Sequence, residues 1–287
     1  FVGTSQAKID SLALATGQER FTADFPLPPD TLHCALVYSP HAFAEITAID
    51  EQEARAVPGV VEIFSHRNVP RVLHSSAGQG FPEPSPYDNL LFDSTVRFVG
   101  DRVAMVCAES LEAARRAAAA LRVEYRPLAP VFDPLQALQP GSPRIPCADA
   151  RAAIPVAYAP ERNLAAEVTI AFGDVDQALA SAALTQDHQY SLPIASHCAQ
   201  EPHAALAWLD ERGRLVIVST TQVPFHARRI TSKVLEIPLY RIRVIKPRIG
   251  GGFGGKQEVL LEPLVGLATW RTGRPARLLL SRREVFV

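Results

Sequence analysis

The residues best placed to do chemistry lie in Ile249-Gly250-Gly251-Gly252-Phe253-Gly254-Gly255-Lys256-Gln257, where five glycines surround one aromatic residue. Glycine reaches left-handed dihedrals without a steric penalty, so such a run lets backbone approach a bound group closely. A strand is predicted before it and a helix beginning near Gln257 after it. The free N–H groups at a helix start favour an anion. The residues by themselves therefore argue for a phosphate-like or oxo-anionic group. Two better-known patterns fit only in part. Residues 250–255 match G-x-G-x-x-G, but a dinucleotide fingerprint also expects a carboxylate about 20 positions on, and residues 267–273 contain none. Gly250, Gly255 and Lys256 match a P-loop, yet Gln257 stands where Ser or Thr should bind magnesium. A glycine-rich structural turn is the plain alternative.

Other reactive side chains are scattered. His197, His203 and His226 could serve as ligands or bases, but none has a metal-like partner spacing, which favours packing or surface roles. Cys34, Cys107, Cys147 and Cys198 include no close pair, so a zinc site or iron–sulfur cluster within the chain is not expected. Isolated thiols behave as small core hydrophobes, and their spread fits a reduced, cytoplasmic setting. The net charge of -1 gives no general pull toward nucleic acid or an anionic membrane. No apolar run approaches the ~20 residues that span a bilayer. The chain starts at Phe1 with no charged-then-apolar signal segment, so export is unsupported, although residues upstream are left open.

The elements that must position the loop read as α+β, a mixed α/β fold in two units, which 287 residues can accommodate. After an N-terminal extension (1–16), residues 17–128 form the first unit. Its strands are predicted at 32–38, 60–64, 103–107 and 123–125, and its helices at 50–56 and 110–121, the latter capped by Ser110. Residues 74–95, with Pro82, Pro84 and Pro86 alternating, read as a loop. A proline-rich connector covers 129–165. The second unit, 166–287, begins with a strand on Val168, Ile170 and Phe172. Asp174 then caps a helix, with Gln177 as the reciprocal partner of a capping box. A hairpin (204–209 and 215–218), a helix (225–235), a strand (241–245), a helix (258–272) ended by Gly273 and a strand (276–280) follow. With no closing motif, this unit is expected to be truncated, leaving Val259, Leu260, Leu264 and Leu267 as apolar surface for a partner. If the strands at 215–218 and 241–245 are parallel, the strand–helix–strand crossover brings Gln222 and the glycine loop together at strand C-terminal ends.

The run from Arg248 to Lys256 resembles the loop of molybdenum hydroxylase large subunits, the family of xanthine dehydrogenase, aldehyde oxidase and carbon monoxide dehydrogenase. Ser219-Thr-Thr-Gln-Val-Pro224 resembles that family's S-T-Q-x-P segment, and Glu201-Pro202-His203 the segment before its first hairpin. Ser39-Pro40-His41-Ala42, Pro58-Gly59-Val60, Tyr125-Arg126-Pro127-Leu128 and Gly173-Asp174-Val175 match in order, so the likeness covers nearly the whole chain. Gly254-Gly255-Lys256-Gln257, Val259 and Glu262-Pro263 look nearest to bacterial xanthine dehydrogenase molybdenum subunits of the separate-subunit kind.

The resemblance implies an aldehyde oxidase/xanthine dehydrogenase a/b hammerhead domain followed by the start of the molybdopterin-binding domain. It implies a molybdenum–molybdopterin cofactor, with a cytosine dinucleotide form left open, whose metal is held by the pterin rather than by protein ligands. Gln222 would hydrogen-bond an oxo ligand, and Gly252, Phe253 and Gly254 would offer backbone to the cofactor. Gln257 would contact substrate where fused relatives carry a glutamate; an amide donates and accepts but holds no charge, which loosens the assignment to purines. The general base, a glutamate, is expected beyond Val287. No catalytic residue is therefore placed in this chain, and the chain alone is expected to be inactive. FAD and 2Fe-2S clusters would sit on partner chains of a hetero-oligomer, with a further chain carrying the rest of the molybdopterin domain. The implied reaction oxidises a purine such as xanthine or hypoxanthine with water-derived oxygen. Another N-heterocycle or an aldehyde is the alternative within the class, and a non-catalytic anion-binding scaffold the alternative outside it.

Overall fold

The computed structural model describes residues 2–77 and 79–287. Phe1, in the predicted N-terminal extension, and Gly78, in the predicted 74–95 loop, lie outside the described residues. Strand β1 (Leu32–Tyr38) alternates, turning Leu32, Cys34 and Leu36 into the core. Further strands are β2 (Ala44–Asp50), β3 (Val60–Ser65), β4 (Thr95–Val96), β5 (Arg102–Ala108) and β6 (Arg122–Pro127). The later part of the chain adds β7 (Ala204–Leu209), β8 (Leu215–Ser219), β9 (Ile242–Ile245) and β10 (Ala276–Leu279). The helices are α1 (Ser11–Ala15), α2 (Gln52–Arg55), α3 (Leu111–Ala120), α4 (Pro134–Ala137), α5 (Val175–Ser181), α6 (Pro224–Leu235), α7 (Glu262–Thr272) and α8 (Arg282–Val285).

Seven strands form one sheet in the order β3-β5-β1-β10-β7-β8-β9, and three form a second, β4-β2-β6. Strand β5 is buried from Val103 to Ala108, as an interior strand flanked on both sides should be. Strand β10 lies between β1, to which it is parallel, and β7, to which it is antiparallel. The two regions of the sequence thus share one sheet. Ile46, Ile49, Ile63, Val103, Val106 and Ala117 form a core on the first side of the molecule. Ile217, Ile230, Val234, Leu264 and Leu267 belong to a larger one under α6 and α7.

Local rules explain several element ends. Ser110 Oγ accepts the Ala113 N–H at 3.1 Å, capping α3. Gly273 ends α7 at a φ of 71°. Asp174 accepts the Gln177 N–H at 2.9 Å, the N-cap half of the predicted reciprocal pair. In the proline-rich stretch, Asn163 adopts a φ of 57° and its side chain gathers the chain: Oδ1 accepts from Ile145 N–H, and Nδ2 donates to the carbonyls of Ala137 and Pro143.

Four expectations are corrected. The helix placed at 50–56 is only the single turn Gln52–Arg55, because Asp50 belongs to β2, paired with Arg122 of β6. No strand forms at Val168, Ile170 and Phe172; these side chains are exposed (77%, 89% and 90%) and alternation without a ladder partner leaves the backbone unpaired. Helix α7 starts at Glu262, not near Gln257, because the Val259 N–H pairs with the Ser76 carbonyl at 2.8 Å and draws the preceding residues into an irregular link. Pro263 then fits the first helical turn, where its missing N–H costs nothing. Val259, Leu264 and Leu267 are buried and Leu260 is half-buried, since α7 packs onto β7 and β8. The densest run of exposed apolar side chains lies instead between 168 and 194.

Candidate functional site

Strand β8 ends at Ser219, and Thr220, Thr221 and Gln222 carry the chain into α6. That helix crosses back to β9, parallel to β8 with Leu215 beside Ile242 and Val218 beside Ile245. Gln222 and the glycine loop therefore emerge from the C-terminal ends of neighbouring parallel strands. They meet: the Gln222 N–H donates to the Lys256 carbonyl at 2.8 Å, and the Lys256 N–H donates to Gln222 Oε1 at 3.3 Å.

Each glycine of the run has its own reason. A Cβ on Gly252 would stand 2.5 Å from Gln222 Oε1, one on Gly250 2.6 Å from Glu201 Cβ, and one on Gly255 2.8 Å from His197 Nδ1. These three make room for neighbouring side chains. Gly251 and Gly254 adopt φ values of 101° and 88°, where a side chain is strained. Phe253 takes a φ of 50° despite its Cβ, and its ring is 73% exposed.

The loop's hydrogen bonds divide it into anchored ends and a free tip. Gly250 N–H donates to Glu201 Oε2 (2.8 Å), Gly255 N–H to the Gly252 carbonyl (2.8 Å) and Gln257 N–H to the Gly254 carbonyl (3.1 Å). Among the described residues, the N–H groups of Gly252, Phe253 and Gly254 have no acceptor. Because a backbone N–H needs an acceptor, the Lys256 contact assigns the near end of the Gln222 amide as oxygen and leaves Nε2 as a donor. The site is thus a set of uncharged donors brought together at two strand ends. It suits oxygen atoms bearing partial or full negative charge, and so fits an oxo-bearing pterin cofactor. The loop itself supplies these donors; no helix begins within it.

A polar layer beneath the loop was not legible as a set in the sequence. Lys256 is fully buried, and its Nζ lies 3.0 Å from Glu201 Oε2. Its position matches the P-loop lysine, but it faces this carboxylate. His203 Nε2 lies 3.0 Å from the Gly255 carbonyl, which can only accept, so this nitrogen carries the proton. Burial holds the His203 ring below its ordinary pKa, despite the pull of that carbonyl. Ser219 Oγ donates to buried Glu262 Oε1 at 2.6 Å, and burial pushes this carboxyl up. Of the remaining predicted residues, Gln257 sits exposed at the loop's end, His197 packs on Gly255, and His226 is buried on α6 beside Arg229. Arg248, just before the loop, pairs with Asp10 and Glu19, and its backbone bridges Phe21. Cys34, Cys107 and Cys147 are buried and Cys198 is exposed; no group of residues that could hold a metal ion occurs among the described residues.

Fold and site together define a mixed-sheet protein with uncharged donors at the C-terminal ends of two parallel strands. Comparison with known proteins gives this class its family. The aldehyde oxidase and xanthine dehydrogenase a/b hammerhead domain matches residues 16–129, and the molybdopterin cofactor-binding domain matches residues 157–287. The chain belongs to the molybdenum hydroxylase family, as a hammerhead domain followed by the start of a molybdopterin-binding domain. It is 34% identical over 310 residues to the probable hypoxanthine oxidase XdhD of Escherichia coli O157:H7, covering 100% of this chain and 32% of the relative. It is 33% identical over 285 residues to the xanthine dehydrogenase molybdenum-binding subunit of the same organism, covering 98% of this chain and 36% of that protein. The crystal structure of quinoline 2-oxidoreductase from Pseudomonas putida 86 superimposes with a TM-score of 0.80 at 30% identity, covering 99% of this chain and 35% of that one. The chain spans about a third of the length of these relatives.

Proposed function

We propose that this chain is the cofactor-holding part of a molybdenum hydroxylase that oxidises a purine such as xanthine or hypoxanthine. The observation that carries the reading is the contact of Gln222 with the glycine loop, whose Gly252, Phe253 and Gly254 N–H groups have no acceptor among the described residues. The bound molybdopterin would supply the two-electron oxidation and place water-derived oxygen on an electron-poor carbon. Gln222 Nε2 would donate to an oxo oxygen, and the tip N–H groups would hold the cofactor in place without adding charge. The exposed Gln257 would meet the substrate edge with an amide that both donates and accepts. That amide also favours a second reading, another N-heterocycle or an aldehyde, because it places no charge beside the substrate.

The general base is proposed to lie outside these residues, so the chain by itself is expected to be inactive; positioned general-base catalysis is worth roughly 10²–10⁴-fold. A chain completing the molybdopterin domain, an FAD subunit and a 2Fe-2S subunit are the proposed partners in a hetero-oligomer. No described helix is long and apolar enough to cross a membrane, and a cytoplasmic setting is proposed. Metal and pterin analysis of the purified assembly, followed by assays with hypoxanthine, quinoline and an aldehyde, tests the reading. An assembly that carries no molybdenum would leave an anion-binding scaffold in its place.

A further inference from the structure

Glu201 precedes the hairpin and Lys256 closes the glycine loop, 55 residues later. One atom, Glu201 Oε2, accepts both the Gly250 N–H at 2.8 Å and the Lys256 ammonium at 3.0 Å. Glu201 N–H in turn donates to the Gly250 carbonyl at 3.0 Å. A single carboxylate oxygen therefore joins the first and last residues of the loop, and the unanchored tip stands between them. Oε1 of the same carboxylate is buried without a hydrogen-bond partner among the described residues.

A buried ion pair is a poor source of stability, because removing both charges from water offsets most of their attraction. It is better suited to fixing geometry, since breaking it strands a charge in the interior. Here the fixed geometry reaches Gln222 as well: the Lys256 N–H that orients the Gln222 amide is held in place by the Lys256 side chain. We infer that Glu201 and Lys256 are a positioning pair that sets the spacing of the loop's ends, and through it the aim of the tip N–H groups and of Gln222. The functional half of this inference rests on the cofactor-site reading; the structural half does not.

The test follows amide hydrogen exchange of residues 249–257 together with steady-state kinetics of the assembled enzyme. Glu201→Gln keeps the shape but strands the ammonium, and Lys256→Met keeps the stem but strands the carboxylate. Each is expected to speed exchange of the loop roughly 100-fold, as loss of one partner of a buried pair implies. In each, kcat is expected to fall more steeply than KM changes. The double variant Glu201→Gln/Lys256→Met leaves no stranded charge and is expected to recover part of the protection. That recovery would not follow if the residues served only as packing. Unchanged loop exchange in Glu201→Gln, or additive losses in the double variant, would overturn the inference. Should the single variants fail to fold, the wild type still decides. With no cofactor bound, its Gly250 and Lys256 amides must exchange far more slowly than that of Phe253, and equal rates would overturn the pairing. A wild-type assembly without molybdenum but with a protected loop would support the clamp while removing the cofactor reading.

Discussion

Gln222 and Lys256 bind each other twice, backbone N–H to carbonyl at 2.8 Å and backbone N–H to side-chain Oε1 at 3.3 Å. The pair locks two strand ends together and decides which end of an amide remains free. Gln222→Glu would preserve the acceptor for Lys256 N–H but remove the donor and add a negative charge. We expect kcat of the assembled enzyme to fall roughly 10²–10³-fold, as for loss of one well-placed donor to developing charge, with the thermal midpoint little changed. Activity within twofold of wild type would show that Nε2 donates to nothing that matters.

The glycines separate steric from conformational need. Gly252→Ala would push its Cβ into the Gln222 side chain, whereas Gly254→Ala would find open space but a strained φ of 88°. The second change should cost about 1–2 kcal/mol of stability. The first should displace Gln222 and lower bound molybdenum well beyond the second. Metal content and melting temperature of the two variants, measured side by side, check this order.

Gln257 sits exposed at the end of the loop, where it is proposed to touch substrate. Gln257→Glu should change the relative efficiency for purines against simple aldehydes by roughly 5- to 150-fold, the range for a mismatched buried hydrogen bond. Equal effects on every substrate would instead place the residue in support of the cofactor.

Acid sensitivity should trace in part to His74. Burial, then the Arg102 and Lys233 charges, lower its pKa from 6.5 to about 4 against a partial upward pull from the Val72 carbonyl. A histidine held neutral in the fold contributes stability that is complete above pH 6.5 and lost as pH falls toward 4. The gap corresponds to about 3 kcal/mol at most. Between pH 7.5 and pH 4, His74→Gln should therefore lose less stability than wild type, as read by denaturant midpoints. Equal acid losses would assign the effect to the other lowered histidines, His33, His66, His203 and His226.

Between residues 168 and 194 the chain exposes Val168, Ile170, Phe172, Leu184, Leu192 and Ile194. So many exposed apolar side chains within one short segment suit a surface that a partner covers. The chain expressed alone should bind a hydrophobic dye, and Ile170→Ser with Phe172→Ser should reduce that binding and weaken assembly with the proposed partner chain. Dye binding unchanged by these substitutions would move the exposed surface elsewhere.

Much of this architecture was readable from local rules. Ser110 and Asp174 announced their helices, Asp210 to Gly213 the hairpin, and Gly273 a helix end, because each acts on backbone within a few residues. The Gln222 contact was reachable by topology, from the handedness and direction of one crossover. What escaped depended on distant partners. Nothing near Asp50 signals that Arg122 will extend its strand, and nothing near Val259 signals the Ser76 carbonyl that keeps the first residues of the expected helix out of it. Glu201 and Lys256 carry no joint pattern at a separation of 55, so a buried pair could not be told from two solvated charges.

Strand β10 lies between β1 and β7, and in doing so sets an order of events for a chain emerging from a ribosome. The β1 edge at Leu32 to Cys34 is translated first, and its parallel neighbour, Ala276 to Leu278, leaves the exit tunnel only after all the intervening elements. Until then the nascent first unit carries an open, apolar sheet edge, the kind that recruits other strands. High contact order of this sort slows folding. Synthesis of this protein is therefore expected to depend on chaperone shielding of β1, and truncation before residue 276 to yield aggregate rather than a free hammerhead domain.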